Sequence, residues 1–198
     1  MSLGLTASCK DAGGGNDASG TFEATEVVVS AEASGRIVSL DVQEGMPLSA
    51  GQVCGLVDTV QLYLQQRQLE AGVNAALSRK RDAETQTAYI REQIEVNRRE
   101  AERVRNLIEA DAANTKQLDD ITSAIKLLET QLTATEADIA QNNAIAEAEA
   151  ASYRAQIAQV EESLRRCRIA SPIDGTVLVK YAEAGELTAA GKPLFKVA

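Results

Sequence analysis

Few residues of this 198-residue chain could carry out chemistry, and their types exclude most of it. There is no histidine. That removes the commonest general base, the commonest metal ligand and every His-dependent triad. Acidic residues are plentiful, 29 in all, but they fall mostly on solvated helix faces, and nothing assembles a nucleophile beside a base. Two of the three cysteines, Cys54 and Cys167, are isolated in sequence and outside any CxxC pair, so zinc is not indicated. They read as small buried hydrophobes, with a Cys54–Cys167 bridge open as the alternative in an oxidising compartment. No catalytic, cofactor-binding or metal-binding residue is assigned, no cofactor is implied, and the chain reads as a protein that is not an enzyme.

The third cysteine is different. Leu5-Thr-Ala-Ser-Cys9 resembles the end of a bacterial lipoprotein signal, in which small residues precede a Cys that is acylated. Thr6 stands where Leu or Val is usual, and the charged start and apolar core of a signal peptide are absent. Cys9 is therefore the candidate for lipidation, with a stray thiol in a polar tail as the alternative. Residues 1–21, rich in Gly, Asp and Ser, read as a flexible segment. The net charge of −9 argues against nucleic acid as a partner, because phosphate-backbone affinity rests on clustered Lys and Arg. No apolar run approaches the ~18–20 residues that span a bilayer, so any membrane contact would be through a lipid anchor at Cys9.

The elements are legible in the spacing of glycines and apolar residues. Between Asp58 and Arg168 there is no Pro, and Gly72 is the only Gly. Ala, Glu, Gln, Leu and Arg dominate there, the composition of long helices. An apolar stripe at steps of three and four runs through Leu69, Val73, Ala76, Ala83, Ile90, Ile94, Ala101, Val104 and Ile108, interrupted at Lys80, Thr87 and Asn97. A second stripe runs from Leu118 through Ile121, Ile125, Leu128, Leu132, Thr135, Ile139, Asn142 and Ala146. It slips by one step of four, a stutter, and resumes at Ala150, Tyr153, Ile157, Val160 and Leu164. Narrow seams of this length predict an antiparallel coiled-coil hairpin over 58–168, with its tip near 111–115. Asp58 with Gln61 predicts a capping box at its start, Asn114 or Thr115 caps the return helix, and Pro172 closes it. Arms of about 50 residues at ~1.5 Å each extend roughly 75–80 Å.

Glycines on either side of this insert recur at a constant offset. Gly35, Gly45 and Gly51 return as Gly175, Gly185 and Gly191. Each set begins a β-rich run, Ile37-Val-Ser-Leu-Asp-Val42 or Val177-Leu-Val179, and each ends in a strand, Val53–Val57 or Leu194–Val197. One small β-sandwich, split in sequence and rejoined in space, is expected from 22–57 and 169–198. The fold class is thus α+β, a long antiparallel α-helical coiled-coil hairpin inserted between two halves of a β-sandwich.

The phrases Val29-Ser-Ala31, Gly35-Arg-Ile-Val38, Glu44-Gly45, Ser171-Pro-Ile-Asp-Gly175 and Gly185-Glu-Leu187, split around a hairpin, resemble the membrane fusion proteins, the HlyD-like periplasmic adaptors. The resemblance covers about 22–198 and implies that the β-sandwich is biotinyl-lipoyl-like and that the protein is a periplasmic adaptor of a tripartite efflux or secretion system, joining an inner-membrane transporter to a TolC-like outer-membrane duct. It also implies self-association into a ring. In many members an Arg, a Leu four residues on and a Ser seven further contact the duct. Arg103 and Leu107 match that spacing, and Asn114 stands in the third position. The alternatives are a solvated Arg103, a Leu107 in ordinary packing and an Asn114 that is a plain helix cap. Asn114-Thr-Lys-Gln-Leu-Asp119 resembles adaptors associated with ABC exporters, which favours an ABC-type transporter over a proton-driven one. Members usually continue into further domains past the second half, so a truncation of a longer adaptor is expected. A lipoyl or biotin carrier is disfavoured, because no Met-Lys-Met or Asp-Lys-Ala sequence is present and the helical insert occupies the turn that would present the lysine. A structural coiled-coil tether unconnected to transport is the remaining alternative; it explains the arm but not the paired β-halves.

Overall fold

The two glycine-bearing segments form one β-sandwich, from which three helices project. The structure, a computed structural model, describes residues 25–198. Cys9 and the segment 1–21 lie outside the described residues. In chain order the elements are β1 (Val27–Ser30), β2 (Gly35–Leu40), β3 (Pro47–Leu48), β4 (Val53–Val57), α1 (Val60–Leu77), α2 (Ala83–Glu109) and α3 (Thr115–Arg166). They are followed by β5 (Arg168–Ala170), β6 (Gly175–Lys180), β7 (Leu187–Thr188) and β8 (Pro193–Val197).

Neither half could bury its apolar face alone. The strands assemble into two antiparallel four-stranded sheets, ordered β1-β8-β6-β3 and β5-β4-β2-β7, so each sheet draws strands from both halves. Alternation sends Ile37 of β2 and Val177 of β6 inward, where they meet Val57, Leu194, Phe195 and Val197 in a single core. The internal symmetry extends to the short strands. Leu48 of β3 lies opposite Gly175 of β6, and Thr188 of β7 lies opposite Gly35 of β2. Gly45 and Gly185 turn with φ of 84° and 93°, a conformation that costs glycine nothing and a branched residue much. Strands β1, β3, β5 and β7 carry few residues each, and only fragments of them stood out in the sequence.

Cys54 and Cys167 are both buried and both free. The Cys54 thiol points at the Ile169 carbonyl oxygen, 3.4 Å away. The disulfide alternative is thus not the observed state.

The helical stripes are the buried faces. Ala76, Ile90, Ile94, Ala101 and Val104 are buried against α3, whose Ile139, Ala146, Ala150 and Val160 are buried in return. The slip from Ala146 to Ala150 lies within an unbroken 52-residue helix. Three details differ from the expectations above. The outgoing segment is not one helix: it stops at Leu77 and restarts at Ala83. Lys80, which would have interrupted the stripe, falls in that gap, and Ala83 is exposed. The first helix has Thr59 at its cap position without a side-chain bond. Asp58 accepts from the Val60 amide at 2.9 Å, and Gln61 closes no capping box. Last, α3 ends at Arg166 because the chain enters β5 at once, well before Pro172. There the Val57 amide bonds the Cys167 carbonyl at 2.8 Å, tying the end of β4 to the end of α3.

Candidate functional site at the far end of the helices

Arg103, Leu107 and Asn114 fall on the last two turns of α2 and the first residue before α3. The connection between those helices is residues 110–114, and its geometry is set by two caps. Helix α2 closes with Asp111 in the left-handed region at φ 55°. The Asp111 amide bonds the Ile108 carbonyl at 3.0 Å, and the Ala112 amide reaches the Leu107 carbonyl at 2.8 Å. These are the two bonds of a Schellman closure, with Asp where Gly is usual. Asn114 then opens α3: its Oδ1 accepts from the Lys116 amide at 2.8 Å, and its backbone carbonyl from the Gln117 amide at 3.1 Å. One oxygen of Asn114 is thus committed to the cap, while among the described residues its side-chain amide donates to nothing.

Arg103 is held by its own helix. Its Nε donates to Glu100 Oε2 at 2.9 Å and a second nitrogen donates to Oε1. The pair holds the Glu100 carboxyl below the usual carboxylate range and raises the Arg103 guanidinium, so both stay charged. Leu107 lies one turn on and is 37% exposed, so it is not a fully packed seam residue. A charged head, a half-open aliphatic residue and an unused amide donor therefore share the far end of the helices. That arrangement suits recognition of a polar protein surface and offers no reacting atom. Among the described residues, no group of three or more His, Cys, Asp or Glu could hold a metal.

Further along, α2 and α3 present two unlike flanks that the sequence reading passed over. On one, Arg91 bonds Glu136 at 2.7 Å and Arg98 bonds Glu129 at 2.8 Å, a ladder with a repeat of seven. On the other, Tyr89, Val96 and Leu127 border a groove of about 570 Å³. These three are 72%, 49% and 70% exposed. The seven-residue repeat of Arg on α2 and Glu on α3 was available as a signal, because antiparallel helices bring such positions together. Among the described residues no helix is long and apolar enough to cross a membrane.

This fold and these helices define a membrane fusion protein. Residues 25–198 match the family model described as RND MFP, barrel-sandwich hybrid domain, and the chain belongs to that family. Similar folds occur in the soluble domain of LipC, a membrane fusion protein of a type I secretion system, at TM-score 0.57 and 16% identity, covering 88% of this chain and 99% of that one. The periplasmic adaptor protein EmrA superposes at TM-score 0.54 and 15% identity, covering 88% and 72%. A MacA–MexA chimera containing the Pseudomonas aeruginosa MexA α-hairpin domain does so at TM-score 0.50 and 20% identity, covering 88% of this chain but 47% of that one. No curated protein sequence matches the chain.

Proposed function

We propose that the protein is a non-enzymatic periplasmic adaptor linking an inner-membrane transporter to a TolC-like outer-membrane duct, as part of a tripartite efflux or secretion system. The observation that carries this reading is the path of the chain. It leaves the sandwich at β4, runs outward along α1 and α2, returns on α3 and re-enters the same sandwich at β5. Membership in the fusion-protein family supports it. In this reading α1, α2 and α3 form a coiled-coil hairpin whose function is reach, and Arg103, Leu107 and Asn114 are the residues that meet the duct. The sandwich is the collar at which copies pack into a ring. The transporter supplies the energy, and the Asn114–Asp119 run favours one of the ABC type. Acylation at Cys9 would tether the protein to a membrane.

The test is photo-crosslinking in cells from Leu107 and from Asn114 of the full-length protein, with captured partners identified by mass spectrometry. Capture of an outer-membrane duct protein from both positions is expected. Capture of other proteins only, by a variant that still supports transport, would refute the tip assignment.

A further inference from the structure

The gap between α1 and α2 is a built feature. From Gln66 to Arg98 the chain advances 32 residues, and their α3 partners Glu161 and Glu129 are also 32 apart. The interruption therefore adds and removes nothing from the register. Within it the backbone first tightens: the Arg79 amide bonds Ala76 O at 3.2 Å and the Lys80 amide bonds Leu77 O at 3.1 Å, both one residue shorter than the α-helical pattern. Arg81 then has no helical partner on either side. Its amide donates to Asn143 Oδ1 at 2.8 Å, and its carbonyl accepts from Asn143 Nδ2 at 2.9 Å. One side-chain amide of α3 substitutes for two backbone groups. Asp82 restarts the helix, accepting from the Glu84 and Thr85 amides.

The surroundings are compliant. Most seam residues beside the gap are small or polar, with Ala76, Thr87 and Ala146 buried there and Ile139 the one large buried side chain, whereas Ile90, Ile94 and Val104 fill the seam further out. Three ion pairs cross the gap, Arg79–Glu149, Lys80–Glu147 and Arg81–Asp138, and all six side chains are about a third or more exposed. Exposed pairs contribute little and are screened by salt. Only α3 is a continuous helix at this level, so bending stiffness drops from two coupled helices to one plus the Asn143 contact.

We infer that Ser78–Asp82 is a hinge in the projecting arm and that Asn143 is the latch that holds it straight. Hinges of this kind are a few element-terminal residues that absorb the dihedral change. The inference does not depend on the duct or transporter.

Spin labels at Gln65→Cys and Arg99→Cys, both exposed positions, bracket the gap at about 50 Å along the axis. They are introduced into the full-length protein carrying Cys9→Ser. Asn143→Ala is expected to broaden the label-to-label distance distribution. It should also speed amide exchange over 78–82 about five- to tenfold, through the loss of a pair of solvent-exposed hydrogen bonds. Alanine has the higher helix propensity, so α3 itself is not weakened by the change. Asn143→Asp, which keeps the acceptor and loses the donor, falls between. Asn142→Ala is the control, because Asn142 bonds only its own helix at Asp138 O. It should change neither readout. A distribution unchanged by Asn143→Ala, or broadened equally by Asn142→Ala, overturns the hinge. Broadening without faster exchange at 78–82 overturns the latch.

Discussion

Replacing Thr188 by Val should stabilise the sandwich. Thr188 is 7% exposed, and its hydroxyl has no hydrogen-bond partner among the described residues. Its symmetry mate Leu48, opposite Gly175 as Thr188 is opposite Gly35, is apolar and equally buried. The site is therefore an apolar position occupied by a hydroxyl. An unsatisfied buried polar group costs about 1–3 kcal/mol, and Val replaces it with a methyl of the same shape. A gain of about 1–2 kcal/mol is expected. For a unit of 60–100 residues this raises Tm by roughly 4–8 °C per kcal/mol, measured by scanning calorimetry. Exchange at the Ile37 amide, bonded to Glu186 O at 2.8 Å beside β7, localises the effect. Thr188→Ser, which keeps the hydroxyl and loses the methyl, should lower Tm. A Val variant that melts below the parent would refute the reasoning, because the hydroxyl would then be making a bond worth more than its burial.

Three further expectations follow from the same contacts. Burial pushes the Cys54 and Cys167 thiols up, so both should resist iodoacetamide at neutral pH in the folded protein and react fully in urea, read by intact mass. At the far end, Asn114→Ala should cost about 1 kcal/mol by removing the α3 cap, whereas Asp111→Gly should gain about 0.5–1 kcal/mol by relieving the left-handed backbone; urea melts of the two variants should shift in opposite directions. Acid should loosen the arm. The Thr85 hydroxyl and the Glu84 and Thr85 amides hold the Asp82 carboxyl below its ordinary value, and Arg or Lys partners do the same for Glu100, Glu147 and Glu162. A depressed carboxyl adds stability that is complete above its unfolded value and disappears as pH falls through the folded one. Helix melting followed at 222 nm should therefore come at lower temperature at pH 3 than at pH 7, and an equal melting point would count against these contacts.

What the sequence disclosed and what it hid divide along physical lines. The 140-residue glycine offset placed both β-halves, because turns that require φ > 0 leave a mark that does not depend on tertiary contacts. The two apolar stripes placed the helices for a similar reason: burial along a seam is periodic. The gap at 78–82 was not legible. It contains neither Gly nor Pro, and Arg79, Lys80 and Arg81 are ordinary helix formers. The backbone groups of Arg81 are satisfied there by a side chain 62 residues later, Asn143, which no local pattern announces. Asp82 with Thr85 was the one local hint, a cap in the middle of a helical pattern. At the far end Asn114 was readable as a cap, but the closure of α2 was not, because Asp111 stands where the pattern for such a turn calls for Gly.

The base of the arm and the gap within it act on each other. Helix α3 is capped by Cys167, whose carbonyl receives the Val57 amide, and β5 begins at the next residue against β4. Helix α1 starts two residues past Asp58, whose amide bonds Arg36 O at 2.8 Å. Both legs are thus bolted to adjoining strands of the β5-β4-β2-β7 sheet within one turn of leaving it. Gly72 beneath the Tyr153 ring adds a close contact between the legs, since a Cβ there would lie 3.0 Å from the ring. The segment below the gap is consequently fixed to the sandwich, while the segment above it is fixed only to α3. A hinge between Leu77 and Ala83 would let the far end tilt by bending α3 alone, opposed there by one amide side chain and three solvated ion pairs.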